Sequence, residues 1–465
     1  RALNAYNGVY ADKPIHKKLL DTYDGTPPEQ SSELAGLCRG YANAIRQRPT
    51  IELTAVELTG SNIPPGTIEL TTSTYKHIMS HCSHRPTREK TYKLYNGWPA
   101  ENASLLADMC SVRQKINRQP TSFLTDDPTK LLNTVYDLLK PLAKQYVGLL
   151  NVHASASHHT LECWDVAWFG EKLTPAGPLT TPQHALTVAL QWFGEKTKLE
   201  FCWVRCDFAG ADTTTSYLVK DSHGVIGEIH FDLFARPNKH GHPCEVCIAP
   251  GGKGRPIALV IACFRDQITH AECKSLFHEI GHALNDVMYC GTTTLTAGTT
   301  TEQDFVEIIA VCAESAVRDE RVLQALYPGC KVDHLTSFGP AQAFDFLPRI
   351  TTALFDAEIH NGPTDIDAAW QRHKAKDLVW SAANFSYRSH VHWATGYAAK
   401  YYSYTLAAVV AATMMFGDDR SLKILTSGST LFGRDMAAVD LGPFASLYGL
   451  KYDGAHDIHK DLTLQ

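Results

Sequence analysis

The stretch SLFHEIGHALND, residues 275–286, carries two histidines four apart, with a glutamate directly after the first. On a helix, positions four apart lie on one face, one turn apart. His278 and His282 can therefore turn their imidazoles toward a single ion. Glu279 projects beside that ion, where it can take a proton from a water. Gly281 leaves room for another segment to approach, and Leu276, Phe277, Ile280, Ala283 and Leu284 supply an apolar surround. Zinc catalysis needs a third protein ligand and one open position. The stretch TEQDFVEIIAVCAESAVRDERV, 301–322, reads as a helix with Asp304, Glu307 and Glu314 close to one face. Carboxylates that interrupt an apolar helix need partners when buried. We expect Glu307 as the third ligand. Glu314, two turns on, is expected to accept from the other N–H of a ligand imidazole, with Asp304 available for similar work. The bland alternative is a helix that carries H-E-x-x-H by accident, and the acidic helix that follows weighs against it.

A second group lies in SHVHWATGYAAKYYSYTLAAVV, 389–410, where His390, His392, Tyr397, Tyr401, Tyr402 and Tyr404 crowd together. Phenol and imidazole donors suit a developing oxyanion. Tyr397, Tyr401 and Tyr404 recur at four and three, on a helix expected to begin at Ala398 after a bend at Gly396. Taken alone, these residues read more readily as a tyrosine-rich core helix whose hydroxyls find partners.

The elements that must position these groups follow from periodicity. Residues 1–198 read as mainly helical, with helices over 102–117, 128–150 (starting at Asp127) and 181–197. Residues 199–265 hold five short β-rich runs, 199–208, 214–221, 227–237, 244–250 and 256–264, punctuated by DSHG and PGGKGRP. They predict a small, largely antiparallel sheet. Residues 266–465 return to helices. The apolar run YTLAAVVAATMMF, 404–416, is too short for a membrane span and reads as a buried helix.

Composition is that of a globular chain: 465 residues, 44% hydrophobic and 20% charged, with a formal charge of -6. No dense Lys/Arg block is present, which argues against a nucleic-acid partner. The 13 cysteines show no disulfide framework and suggest free thiols in a reducing compartment. The sequence opens on Arg1, so we expect a processed or trimmed amino terminus. Weaker signals are HGHPCEVC (240–247), read as strand with free thiols, and Cys202 with Cys206, read likewise. Arg236 and Lys239 read as a solvated strand end, and His456 and His459 have no third ligand nearby in sequence.

Together these segments resemble the M3 family of zinc metallopeptidases, the group of thimet oligopeptidase and mitochondrial intermediate peptidase. FHEIGHAL is similar to the family's F-H-E-x-G-H-A, and AGTTTEQDFVE followed by Glu314 to its G-T-x-x-x-x-D-F-x-E segment. GEIHFDLFARPNK resembles its G-x-I-Y-x-D-x-x-x-R-x-x-K strand, and GYAAKYYSY its tyrosine segment. The resemblance runs from about residue 90 to the carboxyl end. It implies a mainly α fold, two helical lobes flanking a deep substrate channel, with the sheet in the channel wall. It implies Zn2+ on His278, His282 and Glu307, and Glu279 as general base. It places His392, Tyr397 and Tyr404 as substrate and transition-state groups, with Tyr401 nearby for substrate binding. The implied activity is a metalloendopeptidase acting on peptides, closest to the intermediate peptidases that trim imported precursors in the mitochondrial matrix. A general, cytoplasmic oligopeptidase and a peptidase-derived subunit of a larger assembly are the alternatives. The sequence departs from the family pattern at Ile309 and Ala310, where proline and serine are usual, and at His230, where tyrosine is usual. It is also short at its amino-terminal end for this family.

Overall fold

The computed structural model describes residues 28–116, 127–173, 177–205, 214–236, 239, 243–251, 254–289, 303–336, 338–362, 364–379, 386–416 and 441–450. The chain is mainly helical. Helix α1 (Pro28–Arg46) is followed by a small antiparallel pair, β1 (Thr50–Leu53) and β2 (Gly66–Glu69). This pair is an addition to the helical reading of the region: Ile51 and Leu53 point inward while Thr50 and Glu52 face out, the two-residue alternation of a half-buried strand. Helices α2 (Thr72–His81), α3 (Arg85–Gly97), α4 (Asn102–Lys115), α5 (Pro128–Ala156), α6 (Val166–Leu173) and α7 (Pro182–Thr197) follow. Asp127 caps α5 by accepting from the Lys130 N–H, and Thr181 caps α7 from the His184 N–H.

The main sheet has five strands: β3 (Glu200–Val204), β4 (Thr214–Asp221), β5 (Gly224–Phe234), β6 (Cys244–Ala249) and β7 (Ile257–Phe264), in the order β3-β4-β5-β7-β6. Three pairings are antiparallel, and β5 and β7 run parallel. The parallel pair arises because β6 takes the outer position and β7 returns between it and β5, which a tight hairpin after β5 could not produce. Arg236 and Lys239, read as a solvated strand end, instead both pair with Asp232, at 2.6 and 2.8 Å, and the Lys239 side chain is only 4% exposed. Its ammonium also donates to the Asp232 and Phe234 carbonyls, which ties the chain back onto β5.

The second half holds α8 (His270–Val287), α9 (Gln303–Val306), α10 (Ile308–Ala316), α11 (Glu320–Leu326), α12 (Asp333–Thr336), α13 (Pro340–His360) and α14 (Ile366–Lys374). Short 3-10 turns span Tyr387–Ser389 and Val391–Ala394, and α15 (Ser403–Phe416) and α16 (Leu441–Leu447) follow. Among the described residues no helix is long and apolar enough to cross a membrane, and the described cysteines are free thiols.

Two large cores result. One joins α4, α5, α13 and α15 around Leu131, Phe355 and Trp393. The other packs α7, α8 and α11 on the main sheet around Phe193, Phe231 and Phe277. Helix α10 lies between them, with Ile308, Val311 and Cys312 facing the first and Ala313 and Ala316 the second. The site described next lies on this seam.

Candidate metal centre and active site

Helix α8 begins with a capping box: Thr269 accepts from the Glu272 N–H, and Glu272 accepts from the Thr269 N–H. Leu276, Phe277, Ile280, Ala283 and Leu284 are all buried, and full burial of each larger side chain stabilises by roughly 1.5–3 kcal/mol. That apolar face locks the helix rotation and turns His278 and His282 toward α10. Gly281 marks the crossing. A Cβ there would lie 2.7 Å from the Ala310 Cα and 3.1 Å from the Ile309 carbonyl oxygen, so only glycine lets the two backbones meet.

The stretch 301–322, expected as one helix, is broken at Glu307 and again after Ala316. Glu307 is the N-cap residue of α10, with φ -88 and ψ -13. The break aims its carboxylate at α8. His278 Nε2 and His282 Nε2 stand 3.0 Å apart, and Glu307 Oε2 is 3.4 and 3.6 Å from them. Two imidazole nitrogens at that separation share at most one proton, and Glu307 Oε2 is buried with no hydrogen-bond partner. A tetrahedral ion with ligand bonds near 2.0–2.1 Å sets its ligands about 3.3 Å apart. The three atoms bracket that spacing, so the residues fit a zinc-sized cation.

The surroundings charge these groups appropriately. Glu314 Oε1 lies 2.9 Å from His278 Nδ1, and its other oxygen is 2.8 Å from Lys274 Nζ. Burial opposes the positive form of His278, but Glu314, Glu307 and Glu279 outweigh it and raise its pKa to about 9. Burial likewise opposes ionisation of Glu307, yet the two imidazoles and the Tyr397 hydroxyl hold it at about 2. Glu279 is different. Burial raises its pKa against the pull of the two imidazoles, and the Glu307 charge adds to that rise, so of Glu279, Glu307 and Glu314 it takes up a proton most readily.

Asp304 reaches neither imidazole. It accepts from Tyr402 Oη at 2.7 Å, while His282 Nδ1 is left without a partner. The reason is the break at Glu307, which removes Asp304 from the helix face that carries Glu314.

The aromatic segment also differs from the helix expected to start at Ala398. Residues 395–402 form turns, and α15 starts at Ser403. Ala399 takes a left-handed conformation, φ 64, which costs about 1 kcal/mol or more for a residue with a Cβ. Asp356, buried on α13, holds it there: one oxygen accepts the Ala399 N–H at 2.9 Å and the other the Tyr401 N–H at 3.0 Å. Arg113 donates to the Trp393 carbonyl at 2.5 Å and to His360 Nε2 at 3.4 Å. His360 Nδ1 in turn faces Asp356 at 3.1 Å. The tyrosines still meet. The Tyr397 and Tyr404 rings stack at 5.2 Å, and Tyr401 meets Tyr404 at 5.1 Å. Tyr404 lies within hydrogen-bond distance of His392 Nε2, 3.2 Å. Tyr397 donates to Glu307 Oε1, so its hydroxyl steadies that carboxylate. Tyr401 does not line the cavity. Its ring packs against Trp393, His390 and His392 inside the core. Burial lowers the pKa of His392 and raises those of Tyr397 and Tyr404, so near neutrality the imidazole is uncharged and both phenols keep their protons.

A cavity of about 420 Å³ opens over this group, lined by Lys274, His278, Glu279, Glu314, Arg349 and Tyr404 among others. An imidazole pair with a carboxylate, a proton-accepting glutamate and a phenol on the facing wall are what hydrolysis of an amide needs. A family model for peptidase family M3 matches residues 74–426. The chain belongs to that family.

Among its curated relatives are oligopeptidase A of Escherichia coli strain K12, 24% identical over 73% of this chain and 59% of the relative. Another is a mitochondrial intermediate peptidase of Schizophyllum commune, 21% identical over 85% of this chain and 61% of the relative. This M3 chain thus spans about three-fifths of the length of such relatives. A crystal structure titled as oligoendopeptidase F has the same general fold, with a TM-score of 0.57 at 14% identity, over 92% of this chain and 77% of that one.

The departures from the M3 pattern are readable in the structure. Ala310 supplies the backbone that Gly281 crosses, and it keeps a small side chain in place of the usual serine. His230 is buried and bonds Ser216 Oγ at 2.7 Å within the sheet. Sequence reasoning missed Asp356, Arg113, Lys274 and Arg349. Asp356 carried a signal, a carboxylate inside the largely apolar run ITTALFDAEIH with His360 one turn on. His240, His242, Cys206, His456 and His459 lie outside the described residues.

Proposed function

We propose that this chain is a zinc-dependent metalloendopeptidase of peptides. The observation that carries the reading is the close triangle of His278, His282 and Glu307, whose His278 lines one cavity together with Glu279. In this reading His278, His282 and Glu307 hold the metal, and Glu314 orients His278 through its Nδ1 proton. Zinc, when bound, supplies Lewis acidity that makes a water more acidic and a substrate carbonyl more electrophilic. Glu279 takes the water proton during attack on the peptide carbonyl and passes it to the departing amine. Its raised pKa matches both halves of that task. Tyr404, with His392 behind it, donates to the oxygen that gains charge as the carbonyl becomes tetrahedral. Tyr397 steadies Glu307.

The setting we infer is trimming of imported precursors in the mitochondrial matrix, supported by the intermediate peptidases among the relatives. A general oligopeptidase is the second reading, supported by the oligopeptidase A relatives. The decisive experiment compares wild type with Glu279→Gln for metal content and peptide hydrolysis. Wild type should bind one zinc per chain and cleave peptides, and Glu279→Gln should keep the zinc and lose turnover by about a thousandfold or more. A fully active Glu279→Gln would exclude Glu279 as the base. Offering an intact precursor beside its free presequence peptide separates the two settings, since only a processing enzyme cleaves the precursor at one position.

A further inference from the structure

Arg349 lies on α13 and lines the same cavity as Glu279 and Tyr404. Its guanidinium carbon is 5.6 Å from the Tyr404 ring centroid and 5.4 Å from that of Phe346. Two aromatic faces thus hold it in place, an arrangement suited to a planar guanidinium. No carboxylate among the described residues lies within ion-pair distance of it. Glu314 in the same cavity feels the Arg349 charge, but both of its oxygens are taken, one by His278 and the other by Lys274. Asp345, one turn earlier on α13, makes no ion pair with it either. A half-buried arginine held by packing, with no ion pair of its own among the described residues, offers its donors to an incoming anion. Its forked donors match a carboxylate in shape.

We propose that Arg349 selects substrates by binding a peptide carboxylate inside the catalytic cavity. This rests on the peptide-hydrolase reading above. The cavity is of a size to enclose a drug-like ligand, so the carboxylate belongs to a residue close to the scissile bond. Its source is either the free carboxyl terminus of a short peptide or an acidic side chain near that bond.

The test measures binding as well as turnover. Peptides of one sequence are prepared with a free or an amidated carboxyl terminus, and with glutamate or glutamine at the positions flanking the cleaved bond. Binding is followed by fluorescence anisotropy on the Glu279→Gln protein, with and without Arg349→Met, and hydrolysis on the wild type with and without the same change. The expected result is a preference for one carboxylate-bearing peptide over its neutral counterpart of about tenfold or more, lost in Arg349→Met. Loss of the free-terminus preference assigns the carboxyl terminus, and loss of the glutamate preference assigns a side chain. Arg349→Lys, which keeps the charge without the fork, should retain part of the preference and guards against a variant that merely misfolds. Equal binding of acid and neutral peptides, or a preference that survives Arg349→Met, overturns the proposal. A carboxylate preference in binding without any wild-type hydrolysis would sustain it while removing the peptidase reading. Hydrolysis with no such preference would do the reverse.

Discussion

The helix pair α8–α10 and the segment 387–402 both bring side chains to the candidate site, but they are held by different forces. In the pair, local helix periodicity and a buried apolar face aim His278 and His282, and a backbone crossing at Gly281 sets the spacing. In the segment, most of the fixing comes from far along the chain. Tyr41 Oη donates to the Tyr387 carbonyl at 2.6 Å, Asn102 to that of Arg388 at 2.7 Å and Arg113 to that of Trp393. Asp356 takes the Ala399 and Tyr401 N–H groups. Under the proposed function, the difference predicts that metal retention and turnover rest on separable parts of the molecule. Changes in the pair should remove the metal; changes in the segment should leave it bound and slow the reaction.

That separation can be broken at several points. Among changes at and just beyond the segment, the largest effect belongs to Tyr404→Phe, at the start of α15, which under the proposed mechanism deletes one donor to the developing oxyanion. We expect kcat to fall about a hundredfold, with KM within a few-fold and zinc content unchanged by elemental analysis. An effect confined to KM would remove Tyr404 from that role. Next comes Gly281→Ala. The added methyl meets the Ala310 backbone, and such overpacking costs roughly 1–3 kcal/mol. Thermal unfolding and zinc content should both drop. If only activity fell, the crossing would not set the metal site. Asp356→Asn is smaller. The amide can accept only one of the two main-chain N–H groups, leaving a buried donor unmet. About a tenfold fall in kcat is expected with zinc retained; zinc loss would show that the segment and the pair are one unit.

The smallest effect concerns pH. His270, at the start of α8, has its pKa lowered to about 4, first by burial and then by the charges of Arg318, Lys274 and His334. The helix amino terminus disfavours its positive form as well. The unfolded chain binds this proton near 6.5, so the contribution is complete above that pH and is lost as pH falls from 6.5 toward 4. His270→Gln should flatten this part of the melting profile by on the order of a degree or two. An unchanged profile would mean that His270 is neutral in neither state or in both.

The same division explains what could be read in advance. The H-E-x-x-H helix, the acidic helix after it, five strands within a few residues of their ends and the buried run at 404–416 all repeat with the period of their structure. The β1–β2 pair escaped because four-residue strands give too few alternations. The break at Glu307 escaped because its cause is the fit of α10 against α8, a tertiary contact absent from local pattern. The turns at 395–402 escaped for a related reason. Spacings of four and three fit a helix, but Asp356 offers two main-chain donors a better acceptor than the helix would. Tyr401 was assigned to substrate on its neighbours' account, and its ring is in the core. Arg349 left no trace at all, because an arginine on a helix reads as surface until its packing against Phe346 and Tyr404 is seen.

The meeting of Gly281 with Ala310 has a consequence for the choice of ion. A gap set by two backbones cannot widen by changing rotamers, and Glu307 and His282 stand within three residues of it on either side. Calcium prefers six to eight oxygen ligands at longer range than zinc. If the proposed metal sits there, a pocket that cannot swell is a sieve for ionic radius, expected to disfavour calcium by size as well as by the nitrogen it offers.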